Sequence, residues 1–430
     1  NVFVKTTTVK MRFIRLPPEW GIDPVPEHMK KLRAIDIFVF WTSLSIGLLV
    51  LQAGAILTHG LGLSYSYAII VTVIGSIIGS LILALNGLIG TSYGIPTMVS
   101  LRPVFGKEGS YIPTLLNVIQ LVGWTAFEVI IMGEAAYSIS GPLFGELTKV
   151  FWTIFFAMVC YSMMIFGPLI VIRQWLEKFA LWTSVATTCW ITYLAFQHPI
   201  NLNMGYVEAS TLFIALDIVV AMPISWMPLV SDYTRFASTK RGGFIGTFLG
   251  YTFANIWFYA LGSALAIIGG TETVVYSIAL MLLGSIALLA LLVDETDNAF
   301  ADIYSAAVSI QNVFPKQKQW FIGLLITVIS VSIALFTPIM AYEWFLLLIG
   351  AAFIPVFGIV FSDYFIINRG KYDINSFYSP NWRINFIAIF SWFIGFLSYW
   401  YFSYNVGVGG TIPSFIIAFT IYTITKKVRV

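Results

Sequence analysis

Along the chain, apolar stretches of helical length alternate with short polar connections. At 1.5 Å per residue, about 20 residues cross the roughly 30 Å of hydrocarbon in a bilayer. Twelve stretches suit such a crossing: 35–58, 64–89, 112–139, 149–167, 169–196, 209–233, 243–268, 284–313, 319–337, 340–366, 383–402 and 410–426. They predict an all-α polytopic membrane protein with 12 transmembrane helices, called spans 1 to 12 below. Residues 1–34 are polar and basic ahead of the first apolar run, so they read as a cytoplasmic N-terminal segment rather than a cleaved signal. Residues 269–283 are apolar but short, and suit an outer helix lying over the mouth.

Spacing adds an architecture. The starts of spans 6 to 10 follow those of spans 1 to 5 by 174, 179, 172, 170 and 171 residues. Five is odd, so the second set enters the membrane from the opposite side. The expectation is a five-plus-five inverted-repeat transporter core, residues 35–196 and 209–366, with spans 11 and 12 (383–426) added. The first span of each repeat carries a break signal: Ser45-Ile46-Gly47 and Gln52-Ala53-Gly54 in span 1, Met222-Pro223-Ile224-Ser225-Trp226-Met227-Pro228 in span 6. Prolines remove donors and free carbonyls at membrane depth, where a cation or substrate can use them.

Polar residues inside the apolar pattern mark the candidate chemistry. Span 8 contains Asp294, Glu295, Asp297, Asn298 and Asp302. An ionisable group at membrane depth costs at least about 2.5 kcal/mol, so such groups normally face a cavity, an ion or a substrate. At 3.6 residues per turn Asp294, Asp297, Asn298, Asp302 and Ser305 form one stripe, with Glu295 on its shoulder. In span 3, Gln120, Trp124 and Glu128 share one face. An indole beside an amide and a carboxylate suits a flat solute that stacks on the ring while the polar groups read its edge.

Composition agrees. The 430 residues are 59% hydrophobic and 10% charged with mean hydropathy +0.88, against about 25% charged in a soluble domain. Of 23 Lys and Arg, only Lys149 falls in a connection placed outside, which puts both termini in the cytoplasm and the protein in the plasma membrane. No basic patch lies away from the lipid, so nucleic acid is not a partner; the partners expected are a small-molecule substrate and the bilayer, with a monomer as the working unit. Cys160 and Cys189 read as small core residues of their spans, and the three histidines are too scattered for a metal site.

The string Gln120…Gly123-Trp124, the run Ser231-Asp232-Tyr233-Thr234-Arg235-Phe236 closing span 6, and Ile354-Pro355…Ser362-Asp363-Tyr364 closing span 10 resemble the nucleobase:cation symporter family of cytosine, purine, allantoin and hydantoin permeases. The resemblance covers about residues 35–425. It implies alternating access, a nucleobase-like heterocycle held at the centre, no cofactor, and coupling to Na⁺ or H⁺. On it, the family's stacking indole falls on Trp124, and the amide one turn later falls on Glu128, an acid. The family's cation-binding carbonyls, followed by a Gln, resemble Leu48, Leu51 and Gln52. Its second aromatic aligns near Pro223, with Trp226 about one turn away as substitute, and its sodium-binding hydroxyl pair aligns with Asp297-Asn298.

The expected protein is therefore a secondary active symporter and not an enzyme. Trp124 stacks the ring; Gln120, Glu128, Asn298, Ser225, Trp226 and Gln52 contact the substrate. Asp294, Asp297 and Asp302 serve the coupling cation, with Na⁺ at Leu48, Leu51, Asp294 and Asp297. The retained span 1 carbonyl pattern favours sodium; crowded carboxylates that share a proton would suit H⁺. Asp232 and Arg235 lie i, i+3 at the end of span 6, close enough to pair as an inner gate. The alternative is a membrane-embedded Mg²⁺-dependent enzyme of the polyprenyl transferase type, since Asp294 and Asp297 form an Asp-x-x-Asp pair. Such enzymes also need basic residues for a diphosphate, and none lies near.

Overall fold

The structure is a computed structural model that describes residues 20–172, 179, 181–270, 273–337 and 342–428. Both chain termini, the middle of predicted span 5 and the first residues of predicted span 10 lie outside the described residues.

The described chain is almost entirely helical. In order come α1 (Ala34–Ser43), α2 (Leu48–Ala55), α3 (Tyr65–Tyr93), α4 (Thr97–Ser100), α5 (Arg102–Phe105), α6 (Tyr111–Ser140), α7 (Leu147–Phe166), α8 (Pro168–Ile170) and α9 (Leu181–Ala195). Then follow α10 (Ala209–Ser225), α11 (Val230–Thr234), α12 (Lys240–Gly269), α13 (Val274–Ala279), α14 (Gly284–Val313), α15 (Gln319–Ala334), α16 (Tyr342–Phe361), α17 (Phe386–Trp400) and α18 (Thr411–Val428). Among the described residues, seven helices are long and apolar enough to cross a membrane, or eight when α1 and α2, bent by 57°, count as one broken span. The helix α14 has 30 residues and spans 284–313 as the hydropathy pattern predicts, but its acids keep it out of that set.

Local signals explain the boundaries. The long α3 stops where Gly94 takes the left-handed conformation at φ 69°, which costs a glycine little. Thr239 caps α12 by accepting from Gly242 N. The Gly54 and Gly262 pair lets α2 and α12 touch backbone to backbone: a Cβ on Gly262 would run into the Leu51 carbonyl, and one on Gly54 into that of Tyr259. In the connection 94–109, α4 and α5 are two short helices. The short 269–283 stretch is α13, whose first N–H bonds the Gln52 side chain.

Two packed groups meet at the centre. In one, α12 lies on α1, α2 and α3, and α10 lies between α3 and α16. In the other, α14 lies against α6, α7, α9 and α15. The helices α16, α17 and α18 pack as a further layer.

One end of the bundle is basic, and the segment before α1 lies across it. Val25 N donates to Gly94 O at 2.8 Å, Leu32 N to Phe236 O at 2.9 Å, and Tyr378 OH to Ile22 O at 2.8 Å. At that end Arg102 is buried; its guanidinium donates to Asn312 Oδ1 at 2.8 Å and Phe377 O at 3.2 Å, and burial pulls its pKa below the usual arginine value. Lys149 sits apart, over the Tyr137 ring near the end of α6. Cys160 is buried as expected, but Cys189 is exposed on the outside of α9 and is not a core residue.

Candidate substrate and coupling site

The site begins with the broken helix. Leu44 to Gly47 separate α1 from α2, and Gly47 is fully extended at φ 175°. The break leaves the first N–H groups of α2 without helical partners. Glu295 of α14 supplies one: its Oε2 accepts from Leu48 N at 2.7 Å, and Leu49 N also bonds this carboxylate. Asn298, one turn along α14, donates from Nδ2 to the Ile46 carbonyl at 3.4 Å. Gly47 lies against both; a Cβ there would come within 3.0 Å of Asn298 Nδ2 and 3.1 Å of Glu295 Oε2. Just before the break, Ser43 Oγ donates to Asp294 Oδ1 at 3.1 Å and borders Asp297.

From the other side α6 closes on the same point. The carboxyl groups of Glu128 and Glu295 meet within hydrogen-bonding contact. Two carboxylate anions do not rest in contact in a dry interior, so one proton or one cation belongs between them. Asp302 lies within electrostatic reach of Glu128. Glu128, Asp294, Glu295, Asp297, Asn298 and Asp302 are all buried. Several of their oxygens accept no hydrogen bond from the protein: Glu128 Oε2, Glu295 Oε1, Asp294 Oδ2, Asn298 Oδ1 and both of Asp297.

Further along α6, Gln120 Nε2 donates to the Ser225 carbonyl at 2.9 Å and to Asn117 Oδ1 at 2.8 Å, and Asn117 Nδ2 donates to Ser309 Oγ at 2.8 Å. This chain ties α6 to α10 and α14. The Ser225 hydroxyl bonds within its own helix, to Met222 O at 2.6 Å, so Ser225 faces Gln120 through its carbonyl. Trp124 is buried and meets the edge of Phe345, centroids 5.3 Å apart at 71°. Trp226 joins an aromatic group with Trp41, centroids 6.2 Å apart at 84°.

The structure thus brings Glu128, Asp294, Asp297 and Asn298 to the break, with Asp302 within electrostatic reach of Glu128; Gln120 and Ser225 meet where α10 ends, and Trp124 lies one turn from Glu128 on α6. It does not bring Leu51 and Gln52 there. Both lie inside α2, where a carbonyl accepts from the N–H four residues on. The Leu51 carbonyl packs against Gly262, and Gln52 Oε1 accepts from Val274 N at 3.3 Å. Leu48 reaches the cluster through its N–H, not its carbonyl. The break falls at Leu44–Gly47, about one turn earlier than the resemblance placed the cation carbonyls. Among the described residues, no three His, Cys, Asp or Glu side chains come together in a metal-holding group.

The expected Asp232–Arg235 side-chain pair also takes another form. Arg235 donates to the main-chain oxygen of Asp232 at 3.2 Å, to Tyr304 OH at 2.9 Å and to Gly21 O at 2.8 Å. The Asp232 carboxylate instead accepts from Thr97 N at 2.9 Å. Three participants had not been singled out: Glu295 as a central group, Ser43 and Asn117. The runs of acids in α14 and of hydroxyls before Gly47 were visible, but which of them touch is decided across helices.

Helices broken at a buried polar centre, with acids from two elements converging there, define a membrane transporter. The sequence model of the family described as "permease for cytosine/purines, uracil, thiamine, allantoin" matches residues 24–422, and the chain belongs to that family. It is 26% identical over 390 residues to the allantoin permease of Bacillus subtilis (strain 168), covering 77% of this chain and 74% of that one. It is 25% identical over 326 residues to the cytosine permease of Escherichia coli (strain K12), covering 74% of each. The fold matches that of Mhp1, a nucleobase-cation-symport-1 family transporter solved closed with bromovinylhydantoin bound: TM-score 0.81, 95% of each chain, 18% identity. The protein is a permease and not an enzyme, which removes the polyprenyl transferase alternative.

Proposed function

We propose that the protein is a secondary active symporter that imports a planar nucleobase-like heterocycle by alternating access, with H⁺ as the coupling ion. The observation that carries the reading is the meeting of Glu128 on α6 with Glu295 on α14 at the mouth of the broken helix. That pair holds one exchangeable positive charge, next to the Trp124 ring on which a flat solute stacks. In this reading Gln120, Ser225, Asn298 and Asp302 contact the substrate, Trp226 closes the aromatic wall, and Asp294 and Asp297 set the field at Ser43. A ligand shifts the outward–inward equilibrium only through its preference for one state, so substrate and proton must both favour the closed form.

The architecture we assign is the 12-helix one: inverted repeats 35–196 and 209–366, spans 11 and 12 at 383–426, and a cytoplasmic segment 1–34. The basic end faces the cytoplasm, by the positive-inside rule. The working unit is a monomer in the plasma membrane.

Sodium is the competing coupling ion, favoured by the Ser43 hydroxyl and by Asp294 and Asp297 beside the unwound backbone. Uptake of a heterocycle panel into proteoliposomes, with Na⁺ and pH gradients imposed separately, decides. Accumulation driven by an inward proton gradient without Na⁺ is expected. Accumulation that follows Na⁺ and ignores pH overturns proton coupling, and no accumulation of any heterocycle overturns the symporter reading.

A further inference from the structure

We propose that this permease selects heterocycles with an amidine edge, an exocyclic amino group beside a ring nitrogen that can take a proton, over their dioxo counterparts. The inference rests on the reading of this centre as the nucleobase site. Its basis is an imbalance between donors and acceptors. Around the break, among the described residues, Glu128 Oε2 and Glu295 Oε1 are buried without a protein donor, and Asp294 Oδ2 and the Asp297 oxygens have only the Ser184 and Ser43 hydroxyls close by. The amide oxygens of Asn298 and Gln120 are likewise buried without a donor, and these are not acids. The Asn298 nitrogen is held by Ile46 O and the Gln120 nitrogen by Asn117 and Ser225 O, so each amide presents its acceptor side. The ion pairs of Lys30 with Glu27, Arg33 with Asp36 and Arg383 with Glu108 lie away from this centre.

A buried acceptor without a donor costs about 1–3 kcal/mol, so the ligand must bring donors. A ring carbonyl brings none and would face carboxylate oxygens lone pair to lone pair. An amidine edge fits both demands. The proton shared by Glu128 and Glu295 moves to the ring nitrogen: the carboxyl O–H bond breaks and an N–H bond forms. The result is an amidinium whose two parallel N–H groups meet carboxylate oxygens, the bidentate geometry that carboxylates prefer. Charge is conserved, and substrate and coupling proton bind as one unit.

Affinity measured on the purified full chain, by the shift of its melting temperature with ligand concentration, tests this. The probe pairs are cytosine with uracil and adenine with hypoxanthine, each differing by amino against oxo. The amino member of each pair is expected to bind at least about a hundredfold tighter, the scale of losing one or two hydrogen bonds to charged groups. Glu128→Gln, which offers a donor to a carbonyl, should cut that preference at least about tenfold by removing one charged partner. Glu295→Gln provides a second variant with the same expected direction. If uracil or hypoxanthine binds as tightly as its partner in the unmodified protein, the inference falls while the nucleobase reading stands. If no heterocycle of either kind shifts the melting temperature, both fall together. An unchanged preference in both variants also overturns the assignment of these acids.

Discussion

Two sets of buried acids sit on this fold in opposite conditions. At the basic end, Asp363 accepts at every side: Tyr372 OH at 2.6 Å and Asn368 Nδ2 at 2.9 Å on one oxygen, Tyr422 OH at 2.7 Å on the other. Asp217 likewise takes the Gly410 and Thr411 N–H groups at 2.6 and 3.2 Å, capping α18. In α14, by contrast, both Asp297 oxygens and one each of Asp294 and Glu295 accept nothing from the chain, and Glu295 meets a second carboxyl. A buried acid by itself therefore says little about function. A satisfied acid is a joint; an acid kept buried and short of donors is held ready for something the chain does not supply.

The comparison is broken most directly by neutralising the pair at the centre. Glu295→Gln and Glu128→Gln each remove the shared charge, so concentrative uptake should be abolished while substrate exchange across the membrane persists. Because the amide N–H can bond the remaining carboxylate as the shared proton did, the melting temperature should hold. A variant that still accumulates substrate against a gradient would take the pair out of the coupling mechanism.

The opposite pattern is expected at the satisfied acid. Asp363→Ala strands two phenols and an amide, which should cost about 3 kcal/mol of stability, at the upper end for unmade buried hydrogen bonds. Burial and the neighbouring Asp363 push the Tyr372 phenol above the usual tyrosine value, so it stays a donor throughout the physiological range and pH offers no relief. Thermal unfolding in detergent reads the loss, and transport per folded molecule should change little. Lost transport with an unchanged melting temperature would move Asp363 into the same class as the α14 acids.

How much of this contrast the sequence carried depends on whether the information was local. The bounds of α14 and the need for something unusual inside it are local, since an apolar run interrupted by acids states both. The helical wheel puts Glu295 on the shoulder of the stripe, yet it is Glu295 that reaches Leu48 N, because the partner helix is broken at Gly47, in the first of the two break signals, and not at Gln52–Gly54. Both places carry a glycine, so the local sequence does not distinguish them. The spacing of Asp232 and Arg235 allows a pair, but Thr97 at the start of α4 takes the carboxylate first. That competitor lies 135 residues away, in the connection between α3 and α6. Tertiary partners chosen among several sterically possible ones are what spacing does not encode.

A smaller effect is expected at the aromatic platform. Trp124→Ala should weaken binding of a planar substrate by about 1–3 kcal/mol, the range for loss of one stacking ring, or roughly ten- to a hundredfold. Trp124→Phe should retain part of it. Folding should survive, since Phe345 can move into part of the space. Unchanged affinity in the Ala variant would leave the carboxylates without a stacking partner and would move the substrate elsewhere along α6.

The smallest effect expected concerns the segment that crosses the basic end, which we read as part of the inner gate. Arg235 joins it to the core through Gly21 O, and the same guanidinium binds Tyr304 OH on α14. Arg235→Gln removes that link, but Val25–Gly94 and Leu32–Phe236 remain, so only part of the closure is lost. A shift of about 1 kcal/mol in the open–closed balance is roughly fivefold in population. Cysteines placed in the vestibule below Asp302 should therefore label a few times faster in Arg235→Gln. Asp232→Ala should act in the same direction by freeing Thr97 N and loosening α4 from α11. If Asp232→Ala raises labelling and Arg235→Gln does not, the gate is carried by the α4–α11 contact and the crossing segment only covers it. If neither does, both residues are joints like Asp363, and closure at this end is set by packing alone.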